Sequence, residues 1–410
     1  MSARWPVKKA SRTLCWLAPL FLCATLLTGC DLDGYPDDLR YPARTDVLVT
    51  DKPKVDAVAF DRPGEFPGVL LAGLPEKDKE SISLDPAKLP EDKRAVLEEE
   101  LVRIFGTPAN PSAEIGNQEV AGLLKLDPET LKRGSTVYRQ QCLHCHGLSG
   151  DGRGATAPWV NPHPRDYRQG IFKFTSSSQD EGSRKPRKYD LLRTLREGIE
   201  GTSMPSFRLL PEEDLEALAS YVIHLSMRGE TEFQVMRAIL KGEAEGKVQD
   251  NVKDYLNLVV TNWQNAQGSM IKPPAYPGDT LKTDEEREKY LKASIERGFG
   301  MFSRAQPEGQ LKSAGCLGCH TDFGRQSAYK YDAWGTVVKP VDLTLGTYRG
   351  GRRPIDLYWR VHAGINGVTM PASSTNLTPE EIWDLVNFMQ VLPYPKMREK
   401  YGVMLELPPK

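Results

Sequence analysis

Apolar residues recur at helical spacing in several separate stretches of the chain, with proline- and glycine-rich segments between them. From Glu212 to Leu225, the positions Leu215, Leu218, Tyr221, Val222 and Leu225 fall on one side of a helix. A helix is predicted to start at Asp127-Pro128-Glu129, where a capping side chain precedes a first-turn proline. It carries Leu131, Val137 and Tyr138. Asp190 is expected to cap a helix over Leu191–Glu197, which Gly198 ends. Thr378-Pro379-Glu380-Glu381 reads as a capping box. The helix it opens shows Ile382, Leu385, Val386 and Phe388-Met389. Glu91–Phe105 forms a further helix stopped by Gly106, and Glu232–Leu240 and Val252–Asn265 also look helical.

Part of this pattern occurs twice. Asp190-Leu191 through Gly198-Ile199, Gly201 and Met204-Pro205 aligns without a gap on Asp356-Leu357 through Gly364-Ile365, Gly367 and Met370-Pro371. Pro164, Asp166 and Gly170 align with Pro340, Asp342 and Gly346. The repeat divides the chain into a first unit over residues 128–228, a helical connector over 229–290, a second unit over 291–396 and a tail over 397–410. About ten extra residues separate Phe302 from Cys316 in the second unit.

Each unit contains one Cys-x-x-Cys-His: Cys142-Leu143-His144-Cys145-His146 and Cys316-Leu317-Gly318-Cys319-His320. This is the attachment signature of c-type haem: two thiols for the vinyl groups and a histidine for the iron. A Cys-x-x-Cys alone also fits a redox disulfide or half of a zinc site. Two copies, each followed by histidine, favour haem. The chain has seven cysteines, and the three outside the motifs, Cys15, Cys23 and Cys30, all lie in the first thirty residues. No cysteine is left for a structural disulfide or a thiolate nucleophile in the body of the protein.

Residues 128–228 and 291–395 each resemble the class I cytochrome c domain, as found in monohaem and dihaem soluble cytochromes and in cytochrome subunits of respiratory complexes. The resemblance implies an all-α fold wrapped round two covalently bound haem c groups, with His146 and His320 as proximal iron ligands. It implies Met204 and Met370 as the distal ligands, since each lies in a repeat-matched loop before the final amphipathic helix. A thioether is soft and favours ferrous iron, so this ligation raises the potential and closes the iron to oxygen or peroxide. Pro158, twelve residues after His146, is where a proline carbonyl holds the second nitrogen of the haem histidine in this family. The second unit has no proline at that offset. His144, His163, His224 and His362 read as structural, with His163 or His362 within reach of a propionate role.

The N-terminus reads as a targeting segment. Arg4, Lys8, Lys9 and Arg12 precede an apolar stretch, Leu14–Leu27, too short for an ordinary spanning helix. Leu27-Thr28-Gly29-Cys30 resembles a bacterial lipobox, which implies a signal peptide over 1–29 and lipidation of Cys30. An uncleaved anchor is the alternative. Either way the body faces the periplasmic side of a bacterial membrane, and Asp31 resembles an inner-membrane retention signal. No later stretch has the roughly 18 consecutive apolar residues of a span.

Residues 30–127 form an acidic, proline-rich arm. From Asp31 to Thr130 carboxylates outnumber basic side chains by ten. Tyr35-Pro36, Tyr41-Pro42, Arg62-Pro63 and Phe66-Pro67 favour extended backbone. The arm reads either as a solvated tether or as a segment wrapping a partner subunit, and Leu70 and Leu71 favour the second. The run Arg184-Lys185-Pro186-Arg187-Lys188 is the one dense basic spot. It reads as a solvated loop, or as a patch that steers an acidic redox partner or meets the arm. It is too short, and too poorly flanked by aromatics, for nucleic acid.

Three function classes follow. The first is a membrane-tethered carrier of single electrons between a quinol-oxidising complex and a terminal oxidase or soluble cytochrome. The second is a fixed cytochrome subunit of a respiratory complex, loosely like those of alternative complex III. The third is a dihaem peroxidase-type enzyme, which two closed haems disfavour. The expectation is an electron carrier, not an enzyme.

Overall fold

The computed structural model describes residues 34–57, 71, 73–178, 184–305, 307–308 and 312–405. The lipobox, Cys30 and Leu70 lie outside them. The fold is all-α with little sheet. In chain order the elements are β1 (Leu48–Val49), α1 (Glu76–Ile82), β2 (Ser83–Leu84), α2 (Glu91–Phe105), α3 (Gln118–Leu124), α4 (Pro128–Gln141) and α5 (Leu143–His146). Then come α6 (Lys188–Glu197), α7 (Glu212–Lys241), α8 (Val248–Gly268) and α9 (Asp284–Ser303). Last are β3 (Lys330–Tyr331), β4 (Val337–Val338), α10 (Pro354–Ala363), α11 (Pro379–Val391) and α12 (Pro395–Tyr401). The strands form two short antiparallel pairs, β1 with β2 and β3 with β4.

Each repeat unit is built on one close helix crossing, and a glycine makes each possible. In the first, α4 crosses α7 at Gly134, where a Cβ would stand 2.3 Å from the Ala217 carbonyl oxygen. In the second, α9 crosses α11 at Gly298, where a Cβ would stand 2.1 Å from the Asp384 carbonyl oxygen. A side chain at either position would push the helices apart. The caps expected from sequence are present: Thr130 N donates to Asp127 Oδ1 at 2.9 Å, and Glu381 N donates to Thr378 Oγ1 at 3.3 Å. Asp190 acts one turn further in than expected. Helix α6 begins at Lys188, and the Asp190 carboxylate accepts from Arg187 N at 3.0 Å and Ser176 N at 2.9 Å.

Helix α7 runs through the boundary expected at residue 228. Its predicted face, Leu215, Leu218, Tyr221, Val222 and Leu225, is buried, and so is the polar stretch beyond it. Arg228 pairs with Glu232 one turn on at 3.2 Å, and Glu232 accepts from Arg44 N at 3.0 Å. Gly229 is not a break. It lets Arg168 approach to where a Cβ would stand 2.6 Å from the Arg168 Cα. Helix α9 likewise starts at Asp284, earlier than residue 291, behind a Thr283–Glu286 capping box. Beyond residue 396, Tyr401 and Val403 are buried in the second core.

The arm does wrap, but in the described residues it wraps its own chain. Leu97, Leu101, Ile104 and Phe105 of α2 share one core with α4, α7 and α8. Earlier in the arm, Leu71 N donates to Gly335 O at 2.6 Å and Ala57 N to Tyr329 O at 3.0 Å, so the arm also reaches the second unit. Leu101 is fully buried. Leu101→Ala is therefore expected to destabilise the protein by about 3 kcal/mol. A urea titration followed by circular dichroism measures it, and a solvated tether would show no shift.

The basic run is not a solvated loop. Arg184, Lys185 and Lys188 are buried. Arg184 donates to the carbonyls of Ala363 and Gly364, the latter at 3.0 Å, and so joins the first unit to the second. Asn366 Nδ2 returns a bond to Arg184 O at 2.9 Å. Arg193 and Asp356, both buried, pair across the same boundary. Lys188 does meet the arm, donating to Leu124 O at 3.1 Å.

Candidate haem-binding sites

The first Cys-x-x-Cys-His sits where α4 hands over to the single turn of α5. His146 N donates to Cys142 O at 2.8 Å, which closes the turn and brings both thiols and the imidazole to one side. Gly147 then leaves the helix with φ of 72°. His146 Nδ1 lies 3.1 Å from the Arg165 carbonyl. A carbonyl only accepts, so Nδ1 carries the proton and Nε2 keeps its lone pair for a metal. Burial pulls His146 down to about 4, so the ring is neutral near pH 7. Tyr167 stacks on the imidazole at 4.8 Å between centroids.

Pro158 does not hold His146. Its residue belongs to a short turn, Ala157–Trp159, and the carbonyl on Nδ1 is that of Arg165. In the second unit His320 Nδ1 lies 3.2 Å from the Val341 carbonyl. Arg165 and Val341 are equivalent: each stands between the aligned proline and aspartate of the repeat. The aspartates build the same turn, Arg168 N donating to Asp166 Oδ1 at 2.8 Å and Thr344 N to Asp342 Oδ1 at 2.9 Å. The repeat already contained this signal; an offset from the histidine misses it because the loop before the turn is long.

The methionine loops are matched as closely. Helix α6 ends at Gly198 and α10 at Gly364, both with φ of 69°. Ile199 N donates to Met204 O at 3.1 Å, and Ile365 N to Met370 O at 3.2 Å. A Cβ on Gly198 would stand 2.7 Å from Met204 O, and on Gly364 2.5 Å from Met370 O. Only glycine fits there, on both counts. Met204 lines a cavity of about 370 Å³ together with Cys142, Cys145 and His146. Most of the remaining wall is apolar, including Val160, Phe172, Leu191, Leu195 and Val222. Two thiols, a neutral imidazole and a thioether around an apolar cavity fit a haem c.

Around the second motif, His320 N donates to Cys316 O at 2.8 Å, as in the first. Burial lowers His320 too. Burial pushes the Cys142 and Cys316 thiols up to about 12. A redox Cys-x-x-Cys needs a lowered thiol, so that alternative is disfavoured. Among the described residues, no group of three or more His, Cys, Asp and Glu is placed to hold a bare metal ion such as zinc.

Residues 129–222 and 303–389 match the family model of cytochrome c oxidase, cbb3-type, subunit III. The chain carries cytochrome c domains. No curated protein matches it. Among solved structures, a chain of the Kuenenia stuttgartiensis reducing HAO-like protein complex is similar, at 22% identity and a TM-score of 0.43. That match covers 64% of this chain and 96% of the other.

Cytochrome c domains imply electron transfer by covalently bound haem c, exchanged with redox protein partners. The other histidines differ in their surroundings. His224 is fully buried, with Nε2 2.9 Å from Phe105 O, a structural role as expected. His144 is in the motif turn, and His144 and His163 both border the first cavity. No helix of the described residues is long and apolar enough to cross a membrane.

Proposed function

We propose that the protein is a membrane-tethered dihaem cytochrome c that transfers single electrons in a respiratory chain, between a quinol-oxidising complex and a terminal oxidase. The observation that carries this reading is the convergence of Cys142, Cys145, His146 and Met204 on one cavity, within a framework repeated around His320 and Met370. When bound, haem c supplies one-electron exchange between ferrous and ferric iron. The chain's own residues do the rest. Cys142/Cys145 and Cys316/Cys319 anchor the two groups. The carbonyls of Arg165 and Val341 hold the His146 and His320 rings with Nε2 free. Met204 and Met370 would supply soft thioethers as the second ligands, which would favour the ferrous state and leave no vacant position for a small substrate. Lipidation at Cys30 places the protein on the periplasmic face of the inner membrane, at high local concentration near its partners.

Mass spectrometry of the mature protein is expected to show two haem additions, and the pyridine haemochrome to be of c type. One haem, or zinc, refutes the reading. A second reading, a fixed cytochrome subunit of a respiratory complex, is favoured by the matched family model, which describes an oxidase subunit. Purification from native membranes separates the two. A fixed subunit keeps stoichiometric partners through detergent and high salt, whereas a carrier leaves them as salt screens the contact.

A further inference from the structure

Three cations border the cavity of the first cytochrome c domain, and one of them comes from the second domain. Arg165 and Lys173 belong to the loop that holds His146; Arg349 belongs to the loop before α10. Arg165 and Lys173 are held by a turn of the second domain. Asp332, fully buried, lies with Oδ2 3.5 Å from Arg165 Nη1 and 3.3 Å from Lys173 Nζ. Its Oδ1 is taken by the backbone of its own turn, from Trp334 N at 3.1 Å and Thr336 N at 3.0 Å. The Arg165 guanidinium lies 3.6 Å over the Trp334 ring, and Trp334 Nε1 donates back to Asp166 O at 3.0 Å.

The charges do not balance within this cluster. One carboxylate faces three cations. Asp166, beside Arg165, is taken by Arg168 at 2.8 Å and lies 4.0 Å from Arg44. Among the described residues no carboxylate pairs with Arg349. Burial, with Arg165 beside it, pulls Lys173 down to about 7 although Asp332 opposes the shift. Burial alone lowers Arg349. Desolvated cations need anions; with all three protonated the excess is two positive charges, which equals the charge of two ionised carboxylates, and an anion beside Lys173 would hold its proton.

We propose that the second domain completes the first haem site, with Arg349 and the Asp332-anchored pair Arg165 and Lys173 receiving the two haem propionates. This rests on the haem reading above. It makes the potential of the first haem depend on residues of the other domain, through charge rather than ligation. Asp332 is a positioning residue, since it acts through Arg165 and Lys173.

The test uses the full-length holoprotein in a spectroelectrochemical titration. The first-haem wave is assigned as the one that Met204→Ala moves. Removing a cation disfavours the electron-rich ferrous state, so Arg349→Gln is expected to lower that wave alone. The ferrous/ferric ratio at a fixed poise should fall by about three- to tenfold, from a charge at partly screened distance; tenfold corresponds to 59 mV for one electron. Arg349→Lys keeps the charge and should keep most of the potential. Asp332→Asn, which retains the turn-capping oxygen, should move the same wave upward. Shifts whose sign follows the charge removed are not expected from loosened packing. An unmoved first wave in Arg349→Gln with both haems attached, or movement of the second wave instead, overturns the inference. If Arg349→Gln fails to fold, Asp332→Asn and Arg349→Lys decide it by the same readings. A wild-type protein without haem overturns the haem reading itself, and this inference with it.

Discussion

Met204→Ala and Met370→Ala are each expected to halve the weak near-infrared band of Met-ligated ferric haem and to lower one of the two potentials by ~0.2 V or more, within the ~0.8 V that axial ligands span. The double variant should lose the band. Carbon monoxide should bind each variant when reduced and be excluded from the wild-type protein. The size of the effect follows from coordination. A soft thioether stabilises ferrous iron, and its loss leaves water or nothing in its place. The loops fix the backbone that would carry the sulfur. Gly198 and Gly364 turn the chain at φ of 69°, and Ile199 and Ile365 fix the methionine carbonyls. Thr202 Oγ1 accepts from Met204 N at 3.1 Å. An alanine therefore truncates the ligand without releasing its backbone. Peroxide turnover by the wild-type protein, or a spectrum unchanged by either substitution, would sink the closed-haem assignment for that domain.

The parts of this fold that were legible in sequence are those set by local chemistry. The caps at Asp127 and Thr378, the α7 face and the glycine stops act over a few residues. The Cys-x-x-Cys-His motifs and the Met-Pro loops were legible because chemistry fixes their spacing and because they occur twice. The failures share a cause: pairings between distant residues. The family offset points to the Pro158 carbonyl, whereas the aligned Pro-x-Asp segments mark Arg165 and Val341. The arm reads as wrapping a partner subunit because its apolar residues are too sparse for a core of their own, and only the α7 and α8 faces make them one. The sequence pattern ends this helix at Leu225 because the residues that follow are largely polar. Their charges are buried and paired, with Arg228 on Glu232 and Glu230 on a lysine 45 residues earlier in the chain. A buried ion pair of that separation leaves no trace in local composition, and the basic run was misread for the same reason.

Lys185→Met is expected to destabilise the protein by about 3–5 kcal/mol, the cost of stranding one charge of a buried pair. Lys185 and Glu230 are nearly inaccessible, and their side chains meet at 2.6 Å. Lys185 Nζ also donates to Gly170 O at 2.8 Å. The geometry leaves Glu230 no second partner: its Oε2 makes no hydrogen bond, and a Cβ on Gly170 would stand 2.0 Å from it. Burial already raises the Glu230 carboxyl above its ordinary value, and Lys185 is what opposes that shift. Without the ammonium the carboxyl rises further. A carboxyl raised in the folded state favours folding at acid pH and loses that advantage as pH rises past its unfolded value. Lys185→Met should therefore lie closest to wild type near pH 4–5 and fall away toward pH 8. The double variant Lys185→Met/Glu230→Leu removes both charges and should recover most of the loss at every pH, since apolar replacement of a whole buried pair is often neutral. Urea midpoints of the three proteins across that pH range measure this. A single variant as stable as wild type at pH 8, or a double variant no better than the single, would show that the pair is not what holds the Gly170 loop to α7.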